Sequence, residues 1–70
     1  MQFTAEQEFL IASVAPQKPK DKEDLIFLIR ENIPHMEDKT LQGLAETCIT
    51  ELLQARPEDY ENHTFSAAKE

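Results

Sequence analysis

One cysteine and two histidines are the side chains of this sequence best suited to nucleophilic or metal chemistry at neutral pH. Cys48 would act as a nucleophile only if a histidine or a cation favoured its thiolate. It lies instead among apolar residues that repeat with helical spacing, which predicts a small buried side chain. His35 and His63 are too far from Cys48 in the sequence for a zinc-finger spacing, and we expect both histidines to be exposed. The sequence thus predicts neither a nucleophile nor a metal site.

Carboxylate pairs are the other candidates for chemistry, because two neighbouring acids can bind a cation or exchange protons. Asp21 with Asp24, and Glu37 with Asp38, stand where helices are predicted to begin. Helix capping and the helix dipole account for acids at such positions. An enzyme needs a nucleophile, a base and a pocket together, and a chain of 70 residues leaves little room for a pocket of ~300 Å³ or more. We therefore expect a protein that is not an enzyme and holds no cofactor.

Apolar residues recur with the period of an α-helix along most of the chain, which predicts an all-α protein with a single domain. Thr4 and Gln7 fit a capping box at the start of the first helix, and Asp21 and Asp38 fit the N-caps of the next two. Pro57 suits the first position of a further helix. The predicted elements are helices over residues 4–15, 21–33 and 38–55, a loop over 16–20, and a short helix or frayed tail over 57–70.

The apolar faces of these helices define a predicted core. It consists of Leu10, Val14, Leu25, Leu28, Ile29, Leu44, Cys48 and Leu52. The connection over 34–37 has the length that joins antiparallel helices, so the second and third helices are expected to form a hairpin. The apolar stripe of the third helix spans about half of its circumference, more than the ~100° that one core contact requires. Because one partner helix would not cover this stripe, we expect a second copy to complete a dimeric helical bundle.

Two phenylalanines point away from the apolar faces of their own helices. On a helical wheel, Phe9 stands well apart from Leu10, and Phe27 falls opposite the main stripe of its helix. A large apolar side chain with no role in the core is a candidate anchor for a protein interface. The predicted interface residues are Phe9 and Phe27, together with three residues of the wide third stripe, Leu41, Ile49 and Leu53.

Charge limits the classes of partner. Fourteen acidic and seven basic residues give a net charge of −7, the wrong sign for neutralising nucleic-acid phosphates. Lys18, Lys20 and Lys22 form the only basic cluster, which is too small for an anionic-lipid site and predicts a solvated loop. No stretch approaches the ~20 apolar residues of a membrane span, and the start lacks a secretory signal pattern. We expect a cytoplasmic protein that binds neither nucleic acid nor membrane.

The stretch Leu52-Leu53-Gln54-Ala55-Arg56-Pro57-Glu58-Asp59 resembles the helix, Arg-Pro turn, helix pattern of regulatory-subunit docking and dimerisation domains. The resemblance covers less than half of the chain, and it implies a four-helix homodimer. In that family the helix after the turn is strongly apolar, whereas residues 60–65 are mixed here, so the family is not assigned.

The predicted function is therefore interaction with another protein. We expect a small acidic helical homodimer that binds an unidentified larger protein and inhibits or regulates it. Chains of this size and charge are common among phage and mobile-element proteins that act on host regulators, which is an association rather than a derivation. Two alternatives stay open: a nucleic-acid mimic that occupies a DNA-binding protein, and a structural subunit whose assembly is its function. Salt would weaken a complex formed by mimicry more than one formed by apolar docking.

Overall fold

Four α-helices make up the fold of residues 1–65, the part of the chain that the computed structural model describes. In chain order they are α1 (Ala5–Val14), α2 (Lys22–Asn32), α3 (Lys39–Gln54) and α4 (Pro57–Asn62), with a 3₁₀ turn over Ile33–His35 after α2. No strand occurs in residues 1–65, so the predicted all-α class is confirmed there. Residues 66–70 of the segment predicted as helix or tail lie outside the described residues.

The starts of α1 and α3 follow from local hydrogen bonding. The Thr4 hydroxyl accepts a hydrogen bond from the Gln7 amide at 3.1 Å, and the Gln7 side chain accepts one from the Thr4 amide at 2.8 Å. These two bonds are the predicted capping box. Asp38 caps α3 by accepting from the Thr40 amide at 2.8 Å. Asp21 occupies the N-cap position of α2 but makes no side-chain capping bond.

One apolar core lies between the helices. Its buried members are Leu10, Ile11, Ala15, Leu25, Ile26, Ile29, Ala45, Cys48, Ile49, Leu52, Tyr60 and Phe65. Of the eight predicted core residues, Val14, Leu28 and Leu44 are half-buried at the edge of this core, and the other five are buried. The helical period therefore placed the core side chains on the correct faces.

Both α1 and α2 pack against α3, which explains the width of its apolar stripe. Two helices of the same chain cover this stripe, so its width alone does not require a second copy. Ile49, predicted to lie at an interface, is instead only 8% exposed and belongs to the core. Leu41 and Leu53 of the same stripe stay exposed.

The segment after α3 packs on the loop between α1 and α2. Tyr60 is buried, and its hydroxyl donates a hydrogen bond to the Pro19 carbonyl at 2.5 Å. The Lys18 ammonium donates to the carbonyls of Glu61 and His63 at 3.1 and 2.7 Å, and it lies 4.8 Å from the centre of the Tyr60 ring. The sequence left a short helix and a frayed tail as alternatives for this segment, and residues 57–62 form a short helix.

A second lysine of the predicted solvated loop also has a structural role. The Lys22 ammonium donates to the carbonyls of Leu52, at 2.9 Å, and of Ala55. These carbonyls belong to the end of α3, where no basic residue is present in the last turn. A cation there supplies hydrogen bonds to carbonyls at the helix end and interacts favourably with the helix dipole. The start of α2 is therefore attached to the end of α3.

Leu52→Asp is expected to unfold the protein, whereas Leu53→Asp is not. Leu52 is fully buried and Leu53 is 60% exposed, although the two are neighbours on α3. An unpaired carboxylate in the core costs several kcal/mol, against a total stability of about 5 kcal/mol for a small domain. Circular dichroism during thermal unfolding measures both variants. A cooperative, unchanged transition of Leu52→Asp would contradict the packing of α3.

Stability is expected to fall in alkali as Tyr60 ionises. Burial, followed by the charges of Asp21 and Asp24, raises the pKa of Tyr60 to about 12. The stabilisation that the protonated Tyr60 hydroxyl gives the folded protein is complete below the ordinary tyrosine pKa of about 10. It is lost as the pH rises through the pKa of the folded state, because the unfolded chain releases the proton first. Tyr60 is the one tyrosine of the chain, so phenolate absorbance follows it directly.

The control is Tyr60→Phe, which keeps the ring but has no proton to lose. Its melting temperature should vary less between about pH 9 and pH 12 than that of the unmodified protein. Ionisation of Tyr60 near pH ~10 in the folded protein would show that its hydroxyl is not held as described.

Candidate functional site

Cys48 is in the core and cannot act as a nucleophile there. Its Sγ has the Gln7 carbonyl oxygen at 3.9 Å as its hydrogen-bond partner. Burial raises the pKa of the Cys48 thiol to about 11, so the thiol is protonated at neutral pH. The sequence prediction of a small buried side chain is confirmed.

The two histidines lie in different environments. His35 is exposed in the 3₁₀ turn, as predicted. His63 is half-buried, which corrects the prediction that it is exposed. Its Nε2 is 3.2 Å from a carboxylate oxygen of Glu8, and its ring packs at centroid distances of 5.7 Å from Phe3 and 4.4 Å from Phe65. This contact joins the segment after α4 to α1, which makes His63 a structural residue.

The acidic residues do not form a metal-binding cluster in the described part of the chain. Among residues 1–65, no group of three or more histidine, cysteine or acidic side chains could hold a metal ion. Nor is any helix of these residues both long enough and apolar enough to cross a membrane.

An open groove of about 790 Å³ lies between α1, the 3₁₀ turn and the first turns of α3. Its apolar lining consists of Ala5, Phe9, Leu10, Val14, Met36, Leu41 and Leu44. Its size is a correction to the expectation that so small a chain has little room for a pocket. The groove is partly open to the surface between the helices, so a larger core is not required to enclose it.

The polar residues at the groove do not make it polar. They are Glu6, Ser13, Asn32, His35 and Thr40. Ser13 donates its hydroxyl to the Leu10 carbonyl at 2.7 Å, and Asn32 donates its amide to the Leu28 carbonyl at 2.8 Å. These donors are therefore used by the backbone of their own helices. What the groove offers to an occupant is mainly apolar surface.

The geometry of the turn below the groove is fixed by a side chain of α3. The Gln42 side-chain amide donates to the Met36 carbonyl at 2.6 Å. Met36 is half-buried and packs against the core, although it lies in the short connection before α3. Met36 is not among the residues predicted from the sequence, and the signal that pointed to it was an apolar side chain in a short, mostly polar connection.

The predicted interface residues fall into three places. Phe9 is 73% exposed and Leu41 is 43% exposed, and both line the groove. Phe27 is 61% exposed and, like Leu53, is outside the groove lining. Ile49 is buried in the core. The structure therefore brings together two of the five predicted residues and separates the other three from them.

Comparison with known proteins adds no relationship to this geometry. No protein-family model matches the chain, and searches of curated proteins and of solved structures found no match either.

Cys48 is expected to react slowly with a thiol reagent while the protein is folded. A pKa of about 11, in place of an ordinary value near 9, lowers the thiolate fraction at pH 8 by about 100-fold, and burial further limits access. Ellman's reagent, with and without guanidinium chloride, measures the two rates. Equal rates under both conditions would show that Cys48 is accessible in the folded protein.

Proposed function

We propose that this protein is a non-enzymatic interaction module that binds a larger protein through the groove and thereby inhibits or regulates it. The observation that supports this proposal is the open apolar groove with the exposed ring of Phe9 on its wall. Contiguous exposed apolar surface is uncommon on monomeric proteins and marks sites of interaction. An occupant that covered this surface would gain the free energy of its burial.

The composition of the groove favours binding over catalysis. Of the described residues that line it, Glu6 and His35 are the ionisable ones, and both are exposed. Catalytic acids and bases usually lie in clefts where burial and charged neighbours act on them, whereas these two side chains are solvent-exposed. The one thiol of the chain, Cys48, is buried outside the groove lining. A docking surface needs none of these groups, because aromatic anchors that fill apolar pockets supply most of the binding energy.

The frame of the groove in this proposal is an antiparallel hairpin of α2 and α3. The short connection between the helices supports this arrangement, as do the bonds from Lys22 to the end of α3. A hairpin tied at both ends would hold the 3₁₀ turn and the start of α3 at a fixed distance from α1. A preorganised groove reduces the entropy lost when the partner binds.

Self-association is a second candidate, and exposed apolar residues outside the groove favour it. Phe27 and Leu53 are large, exposed and absent from the groove lining. A homodimer formed through these side chains would leave the groove free for the larger partner. Light scattering of the unmodified protein and of Phe27→Ala measures this assembly directly, and a monomer mass near 8.1 kDa for both would rule it out.

Phe9→Ala is expected to reduce binding of the partner without unfolding the protein. Truncation of an aromatic anchor costs roughly 2 kcal/mol or more, which corresponds to a loss of about 30-fold in affinity. Phe27→Ala is the matched control, because it removes the same ring from an exposed site outside the groove. Proteins captured from the native host by the three forms are quantified by mass spectrometry, and melting temperatures confirm folding.

The expected result is a captured protein whose yield falls with Phe9→Ala and not with Phe27→Ala. Adding the unmodified protein to the purified partner then tests regulation, because the partner's activity should change and Phe9→Ala should change it less. The opposite pattern, loss with Phe27→Ala alone, would move the binding surface to α2 and contradict the role of the groove.

A further inference from the structure

We infer that the groove takes an amphipathic helix with basic flanks from the partner, and not a second copy of this chain. This inference rests on the proposed function, because it names the chemistry of the segment that docks. Three properties of the groove support it: its length, the hydrogen-bonding state of its lining and the charge of the segments beside it.

The length of the groove matches a short helix. Its lining runs along the whole of α1, from Ala5 to Val14, and ten residues at a rise of 1.5 Å extend about 15 Å. Helices that dock into grooves use apolar anchors at i, i+3 or i+4, and i+7. These anchors span about 10 Å. A helix of two to three turns would therefore place its anchors within the groove.

The lining favours a helix over an extended peptide. An extended segment has unpaired backbone amides and carbonyls, which normally bind to the edge of a sheet. Residues 1–65 contain no strand and therefore offer no such edge. The donors of Ser13 and Asn32 are already bonded to carbonyls of their own helices. A helix satisfies its backbone groups internally and presents an apolar face, which is what this surface can accept.

The charge beside the groove favours a basic occupant. The segments that border it, residues 5–14 and 31–44, contain the carboxylates Glu6, Glu31, Glu37 and Asp38, besides Glu8, whose carboxylate contacts His63. Lys39 is their one lysine or arginine. A second copy that docked here through the same segments would bring these carboxylates together, and like charges across an interface oppose association. Lysine or arginine beside the apolar anchors would instead be attracted to this end of the molecule.

Two synthetic peptides of about 14 residues test the inference, a length that forms nearly four helical turns. Both carry leucines at i, i+3, i+4 and i+7 and a fluorescent label. One has lysines at the flanking positions and the other has glutamates. Fluorescence anisotropy at low and high salt measures their affinities for the full chain. We expect the lysine peptide to bind about tenfold more tightly or better at low salt, and this preference should shrink at high salt because salt screens exposed charges.

Four variants identify the surface of the protein that binds the peptide. Phe9→Ala should weaken the lysine peptide by about 30-fold, as loss of an aromatic anchor does, and Phe27→Ala should leave it unchanged. Glu6→Lys, within the groove lining, should weaken the lysine peptide more than Glu46→Lys does. Glu46 is exposed on α3 outside the lining, so the two variants change the net charge equally and differ in position.

The outcomes separate this inference from the proposed function. If both peptides bound equally and Phe9→Ala weakened both, the inference of a basic occupant would be overturned and the groove would remain a docking site. If Phe9→Ala left the affinity for the lysine peptide unchanged, the binding would be non-specific charge attraction and the inference would be overturned. If the unmodified protein self-associated and Phe9→Ala abolished this self-association, the groove would be occupied by a second copy and the inference would also be overturned. The partner capture with Phe9→Ala and Phe27→Ala tests the proposed function independently of any peptide.

Discussion

Burial of one face of α3 is the constraint on which the rest of the fold depends. Ala45, Cys48 and Leu52 have no exposed surface there, and α1 and α2 both pack against this helix. Ala45 and Cys48 are small, so they allow neighbouring helices to approach closely.

The helices that pack on α3 are shorter than α3 itself. Helix α1 has 10 residues and α3 has 16, which correspond to about 15 Å and 24 Å. A helix of that length cannot cover the whole of α3, and the groove opens at the first turns of α3, where α1, the 3₁₀ turn and α3 do not close on one another. The same shortage of covering surface that limits the core therefore creates the candidate binding site.

Polar contacts with backbone carbonyls attach the remaining segments to this helical core. Lys22 binds the end of α3, Lys18 binds carbonyls after α4, and Tyr60 donates to the Pro19 carbonyl. Each contact joins parts of the chain that are 30 or more residues apart. A small domain buries little apolar surface for its length, so such contacts make a larger relative contribution to its stability. They also lie away from the groove lining, which leaves the groove free to vary without loss of these attachments.

The sequence predicted what depends on local periodicity and capping, and it failed where the answer depends on how far a neighbouring helix extends. Thr4 with Gln7 and Asp38 identified two helix starts because a cap is a contact between residues two or three positions apart. Phe9 and Phe27 were correctly separated from the core because a helical wheel gives the direction of a side chain. On a helical wheel Leu41 points closer than Ile49 to the direction shared by the buried residues of α3, yet Leu41 is 43% exposed and Ile49 is buried. The wheel gives the wrong order because burial here depends on the position of the helices that pack on α3. The role of Lys18 was missed for the same reason, since its carbonyl partners lie more than 40 residues away in the chain.

The groove shares part of its lining with the core, and this overlap limits which of its positions can change without affecting folding. Phe9 and Leu41 contribute exposed surface to the groove, so a substitution at either alters what the groove can hold with little effect on folding. Leu10 is different, because it is buried in the core and also lines the groove. A change of volume at Leu10 would alter both the packing of α1 and the floor of the groove, since cores respond to the loss or gain of a single methylene. Under the proposed function, specificity for a partner would therefore be adjusted at the walls of the groove, whereas its floor is constrained by the same packing that holds α1 against α3.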